Sequence, residues 1–133
     1  PIIEKMAKQE ERHLNKFNEL IADNKVRPTV LLPVWHVAGF ALGAATALLG
    51  EKAAMACTVA VEEVIDEHYA GQVATLEDED KDLKDTFEEF RLEELEHRDT
   101  SLEHGAEDAP GYEVLKGAVK ASSRFAIWLS ERI

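Results

Sequence analysis

Residues 83–101, LKDTFEEFRLEELEHRDTS, decide the fold. Leu83, Phe87, Phe90, Glu94, His97 and Ser101 recur at three- and four-residue steps, so one helix face runs from apolar residues into a carboxylate and an imidazole without changing phase. A carboxylate turned toward a core costs several kcal/mol unless a metal or another charge meets it. The period predicts a helix from about Leu83 to His104, and its polar insertion predicts that this face meets more than hydrocarbon.

Outward from this helix the same period recurs. Downstream, Gly105 to Pro110 breaks the pattern, and a last helix from about Gly111 to Arg132 is expected to bury Val114, Leu115, Ala118, Val119, Phe125 and Leu129. Upstream lies an acidic turn, Asp78 to Asp80. Before it, a helix beginning after Gly50 and reaching about Glu77 places Met55, Val59, Glu62, Ile65, Tyr69, Val73 and Leu76 on one face. From Pro28 to Gly50 no residue carries a formal charge, and Pro33 suits the first turn of a helix ending near Gly50. A first helix, about Ile2 to Asp23, aligns Ile3, Met6, Phe17 and Leu20 in one stripe. Asn24 to Thr29 links the two. No segment alternates with period two for long enough to make a strand. The fold class is all-α, a helical bundle within a single domain spanning residues 1–133.

Composition narrows the function. The 133 residues hold 15 Lys plus Arg against 27 Asp plus Glu, a net charge of −12. Nucleic acid is therefore not the partner, since duplex binding needs a clustered basic face. One cysteine, Cys57, rules out an internal disulfide, thiolate zinc and iron–sulfur clusters. It reads as a small buried residue. No signal peptide is legible, and the amphipathic pattern is already running at Pro1, so an upstream segment is expected.

Two Glu-x-x-His pairs, Glu10/His13 and Glu94/His97, interrupt otherwise apolar stripes. The spacing puts a carboxylate and an imidazole on one helix face a turn apart, within reach of one metal site. By itself the spacing is weak evidence in a chain with 27 acidic residues. Glu62 adds a third inward carboxylate. One Glu from each of two helices plus Glu-x-x-His from each of two more is the ligand set of carboxylate-bridged di-iron and di-manganese bundles. Five of the six are nameable here: Glu10, His13, Glu62, Glu94 and His97. Glu62 precedes Glu94 by 94 − 62 = 32 residues, so a pseudo-repeat puts the missing Glu before Pro1, on a first helix absent from this chain. Glu4 is the nearest internal candidate, but it projects elsewhere. Oxygen ligands mixed with imidazole suit iron or manganese. Iron is the expectation, because two adjacent ferrous ions can deliver two electrons to dioxygen in a cavity that limits side reactions with water. Tyr69 and His68 are candidates for an outer shell that relays protons and electrons.

The uncharged helix, Pro33 to Leu49, spans about 25 Å at ~1.5 Å per residue, short of a ~30 Å hydrocarbon core. With Lys25, Arg27 and Trp35 at its start, it reads equally as a helix resting in the membrane interface or as a central core helix. His36 is structural or interfacial rather than a ligand.

The stretches QEERHLNKFNEL, VRPTVLLPVWHVAGFALGAATALLG, MACTVAVEEVIDEHY, EELEH and AIWLSERI resemble the demethoxyubiquinone hydroxylase family of ubiquinone biosynthesis, over nearly the whole chain. The resemblance implies a ferritin-like di-iron monooxygenase that hydroxylates the ring of demethoxyubiquinol, with iron held by Glu10, His13, Glu62, Glu94 and His97 and molecular oxygen as co-substrate. It places His68 and Tyr69 beside the iron as a proposed relay. It implies a peripheral protein of the inner membrane, on the mitochondrial matrix side or the bacterial cytoplasmic face, working with a lipid-binding partner and with NADH as proposed reductant. No Gly-rich dinucleotide fingerprint occurs in the sequence. The alternatives are a ferritin-like iron-binding or ferroxidase protein without quinone activity, and a metal-free scaffold. A homo-oligomer is left open.

Overall fold

The structure is a computed structural model that describes residues 1–76 and 80–133. The expected helix end at Glu77 and the start of the acidic turn at Asp78 lie outside the described residues. Five helices follow in order: α1 (Ile2–Asp23), α2 (Leu32–Leu48), α3 (Glu51–Thr75), α4 (Lys81–Glu103) and α5 (Tyr112–Ser130), with a 3₁₀ turn at Ala106–Asp108 before the last. No strand occurs among the described residues. The protein is an all-α bundle.

α3 is the axis of the molecule. It packs most extensively on α4, then on α5 and the 3₁₀ turn, and α2 lies along it. Small residues permit these approaches: Ala56, Val59 and Ala60 are fully buried. Two apolar clusters bracket its length. Met55, Ala56 and Val59 meet Ala106 and Ala109 at one end, and Tyr69, Phe87 and Phe90, with Phe17 and Leu20 against them, close the other. Cys57 is buried beside Ala60 and Val119, as expected. Pro33 sits in the first turn of α2, where its missing N–H goes unneeded. Gly50, at φ 118°, turns the chain into α3 through a conformation essentially reserved for glycine.

Three expectations about burial are corrected. Ile3 is exposed, because α1 packs on the bundle sparsely and His13 is its one buried residue. Val114, Ala118 and Phe125 are exposed too, because α5 meets α3 on a narrow stripe through Leu115 and Val119. The two readings of α2 are separated as well. It is no central core helix: Val34, Val37, Phe40 and Leu48 face outward and only Thr46 is fully buried. It lies at the margin, tied to the end of α5 where Trp35 Nε1–H donates to Ser130 Oγ at 2.6 Å. No helix among the described residues is long and apolar enough to cross a membrane.

Candidate metal centre

Between the two apolar clusters, α1, α3 and α4 each turn acidic or imidazole side chains inward. On α4 the apolar stripe carries Glu94 and His97 into the interior, and Glu94 is only 1% exposed. On α3 the phase set by Val59 and Tyr69 brings Glu62 in at 6% exposed. Glu10 and His13 arrive from α1. One ligand atom from each of Glu10, Glu62, Glu94 and His97 lies within 4.8 Å of all the others.

The geometry is organised around two imidazoles. His13 Nδ1 is 2.9 Å from Glu94 Oε1 and 3.7 Å from Glu10 Oε2. His97 Nδ1 is 3.2 Å from Glu94 Oε2, 3.3 Å from Glu10 Oε1 and 3.7 Å from Glu62 Oε1. Glu94 and Glu10 therefore each offer one oxygen to each imidazole, as a bridging carboxylate does. Three carboxylates face His97 Nδ1, but two face His13 Nδ1. Among the described residues, His13 Nδ1, Glu62 Oε2 and Glu94 Oε2 are buried with no hydrogen bond. Buried polar atoms left open at the centre of a carboxylate–imidazole set fit a metal, and this donor set suits iron or manganese.

Sequence reading missed the groups that orient the imidazoles. His13 Nε2 lies 2.6 Å from Glu93 Oε2, and His97 Nε2 lies 2.9 Å from Gln9 Oε1. A carboxylate only accepts, so His13 donates from Nε2 and its Nδ1 is turned toward the centre. His97 is oriented the same way by the Gln9 carbonyl oxygen. The arrangement is reciprocal: the residue just before each motif Glu serves the other helix's histidine. The doubled pattern Gln9-Glu10-x-x-His13 and Glu93-Glu94-x-x-His97 was the signal that could have found them. Glu93 is in turn bonded by the Arg12 guanidinium. Phe90 stacks on the His13 ring, with centroids 4.0 Å apart.

Without a metal, protons gather here. Burial alone lowers the affinity of both imidazoles for a proton, but the carboxylates outweigh it. Glu10, Glu94 and Glu93 push His13 up to about 10, and Glu10, Glu62 and Glu94 push His97 up to about 11. Burial pushes the Glu62 carboxyl up to about 8, while the two imidazoles hold Glu94 well below the usual carboxylate range despite its burial. Burial and the nearby carboxylates raise the Tyr69 phenol above its ordinary value, so it keeps its proton.

Tyr69 is buried against Phe17 and Phe87, with ring centroids 6.2 and 5.9 Å away. His68 is half-buried one residue earlier. Both border a cavity of about 450 Å³ that reaches Glu10, His13 and Glu94, walled otherwise by Leu14, Phe17, Ile65 and Ile127, with Gln72 at its edge. His36 is exposed on α2, away from the centre. Glu4 pairs with Lys8 at 2.8 Å on the surface of α1.

An all-α bundle whose helices converge Glu and Glu-x-x-His side chains on one buried centre has the side-chain arrangement of the carboxylate–imidazole metal bundles, and the cluster fits a metal site. Residues 1–130 match the family described as Ubiquinone biosynthesis protein COQ7, and the chain belongs to that family. It is 58% identical over 132 residues to the 3-demethoxyubiquinol 3-hydroxylase of Rhodospirillum rubrum, covering 99% of this chain and 62% of that protein. It is 57% identical to the NADPH-dependent 3-demethoxyubiquinone 3-hydroxylase, mitochondrial, of Homo sapiens, covering 100% and 63%. The 5-demethoxyubiquinone hydroxylase, mitochondrial, of Saccharomyces cerevisiae is 41% identical, covering 100% and 64%. The chain thus spans a little over three fifths of the length of these curated relatives.

Proposed function

We propose that this chain is the catalytic core of a di-iron monooxygenase that converts a ring C–H of demethoxyubiquinol to C–OH. The observation that carries the reading is the pair Glu10 and Glu94, each presenting one oxygen to each of two imidazoles whose far nitrogens are already engaged. Glu10, His13, Glu62, Glu94 and His97 are the residues to hold the metal. Held by these side chains, a pair of ferrous ions would supply electrons for the activation of dioxygen. Glu93 and Gln9 keep the imidazole lone pairs aimed inward. The cavity beside Tyr69 offers an aromatic ring a largely apolar wall, and the Tyr69 phenol holds a proton within it. In the balanced reaction one oxygen atom enters the ring and the other leaves as water, with two electrons from an external reductant. The sequence resemblance implied NADH; the name of the human relative specifies NADPH.

The exposed apolar residues of α2, continued on α5 by Phe125 and Trp128, form the surface on which the protein rests against the inner membrane, where an isoprenoid quinol resides. The same surface is the docking site for a lipid-binding partner. The human and yeast relatives are named as mitochondrial; the faces proposed are the matrix side in mitochondria and the cytoplasmic side in bacteria.

The test is product formation by the full-length protein reconstituted with iron and given demethoxyquinol, dioxygen and reductant. Ring-hydroxylated product, lost in Glu62→Ala, supports the reading. Iron uptake without product returns the protein to the ferroxidase alternative.

A further inference from the structure

We infer that Glu93 and Gln9 set the two imidazoles of the centre at different electron-donating strengths: the charged anchor makes His13 the stronger donor, and the neutral one leaves His97 the weaker. The inference rests on the di-iron reading and deepens it. His13 Nε2 lies 2.6 Å from a Glu93 carboxylate oxygen, and His97 Nε2 lies 2.9 Å from Gln9 Oε1. An imidazole that gives Nδ1 to a metal carries its proton on Nε2, so both anchors must accept, and Gln9 has only Oε1 with which to do so. Both anchors therefore orient their rings equally well. Orientation alone gives no reason for a charge at one of them.

The charge acts through the strength of the bond. A hydrogen bond to an ionised acceptor is about twice as strong as one between neutral groups, and drawing on the Nε2 proton raises the basicity of Nδ1. The Arg12 guanidinium, bonded to Glu93, holds that carboxylate in place. The Glu93 side chain is 19% exposed, so its field reaches the ring without the full screening that water gives a surface charge. A more basic ligand favours the more highly charged ferric ion over the ferrous one and lowers the potential of the ion it holds. Among the described residues, His13 lines the cavity beside Tyr69 and His97 does not. The stronger donor thus stands at the position next to the cavity, where it eases the passage of an electron from a ferrous ion to dioxygen. Glu62 adds a carboxylate on the His97 side alone, so the anchors are tested by substitutions that leave every ligand in place.

Full-length protein loaded with excess ferrous iron and oxidised by air is titrated with dithionite, which adds one electron to the diferric pair and gives a mixed-valence pair detected by electron paramagnetic resonance. Glu93→Gln keeps the shape and the hydrogen bond but removes the charge. It should favour the ferrous state about tenfold, a rise of about 59 mV in the one-electron potential. Gln9→Glu makes the opposite change behind His97 and should lower the potential by a similar amount. Glu89→Gln, which removes an exposed carboxylate paired with Arg12, is the control for charge alone and should move the equilibrium less than about 2-fold. Circular dichroism and iron analysis check that each variant folds and loads, and either anchor variant suffices against the control if the other does not. Shifts of one sign in both anchor variants, or shifts no larger than that of the control, overturn the assignment of the anchors and leave the di-iron reading standing. A wild-type protein that holds no pair of irons overturns both.

Discussion

The two sides of the metal centre are built differently. Glu62, Glu94 and His97 come from α3 and α4, the most extensively packed pair of helices in the molecule, and all three are nearly inaccessible. Glu10 and His13 come from α1, which packs on the bundle less extensively than α3 and α4 pack on each other, and the Glu10 side chain is 48% exposed. α1 is tied down by Phe17 and Leu20 in the aromatic cluster and by polar pairs, Lys5 to Glu96, Arg12 to Glu93 and Glu89, and His13 to Glu93. Packing fixes one half of the ligand set, whereas packing and charge share in fixing the other. The first is insensitive to salt and expensive to disturb, whereas surface ion pairs are each worth about 1 kcal/mol or less and are screened.

The sharpest way to break the comparison is to remove one carboxylate from each side. Glu94→Ala is expected to abolish iron binding, because Glu94 serves both imidazoles, and to eliminate product. Glu10→Ala also removes a bridging carboxylate, but water can reach its place, so residual iron by elemental analysis should exceed that of Glu94→Ala. Equal loss in both variants would erase the distinction between the two halves.

Next in size are the groups behind the imidazoles. Glu93→Gln should lower metal affinity by roughly 10- to 100-fold, measured by competition with a chelator, because it weakens the anchor of His13. Gln9→Leu should do the same to His97. If Gln9→Leu alone has an effect, the α1 half does not depend on its anchor.

The protons in the metal-free centre predict a stability profile. His13 and His97 are raised from 6.5 to about 10 and 11, so their contribution is full below pH 6.5 and is lost as pH rises through those folded values. Glu62, raised from 4.5 to about 8, opposes folding increasingly over that interval. Glu94 and Glu10 are lowered, so their contribution is present above 4.5 and lost in acid. The melting temperature of metal-free protein should therefore peak between about pH 4.5 and 6.5 and fall toward pH 9. Iron, which must displace the imidazole protons, should reverse the alkaline part of that slope. A flat profile without metal would mean that the carboxylates do not surround the imidazoles.

The smallest effect expected is that of salt. At about 1 M, where the screening length is about 3 Å, amide exchange in α1 should quicken before that in α3 or α4. Lys5→Ala should cost no more than about 1 kcal/mol of stability.

Much of the fold was legible because period and punctuation act locally. α1 occupies the expected Ile2 to Asp23, and the stripe of α4, Phe87, Phe90, Glu94, His97 and Ser101, is buried throughout. Illegible were the features that depend on what stands opposite a helix. Val114 and Phe125 have the spacing of core residues but face outward, because α5 offers α3 only a narrow stripe. α2 is apolar on every side, so it has no phase from which burial could be read, and only its marginal position settles the matter. Gln9 and Glu93 looked like ordinary surface residues, because each serves a histidine on another helix.

Sequence by itself determined that this protein is a set of amphipathic helices and which positions on them carry carboxylate and imidazole, because the repeat of the α-helix converts spacing into a face. Only the tertiary structure decided that these faces meet: Glu94 between two imidazoles, Glu10 half in solvent, and the cavity beside Tyr69 that ends at Gln72. Those relations join residues as many as 88 positions apart, as His97 and Gln9 are. No local rule of chain geometry reaches that far, and the packing of α3 against its neighbours does.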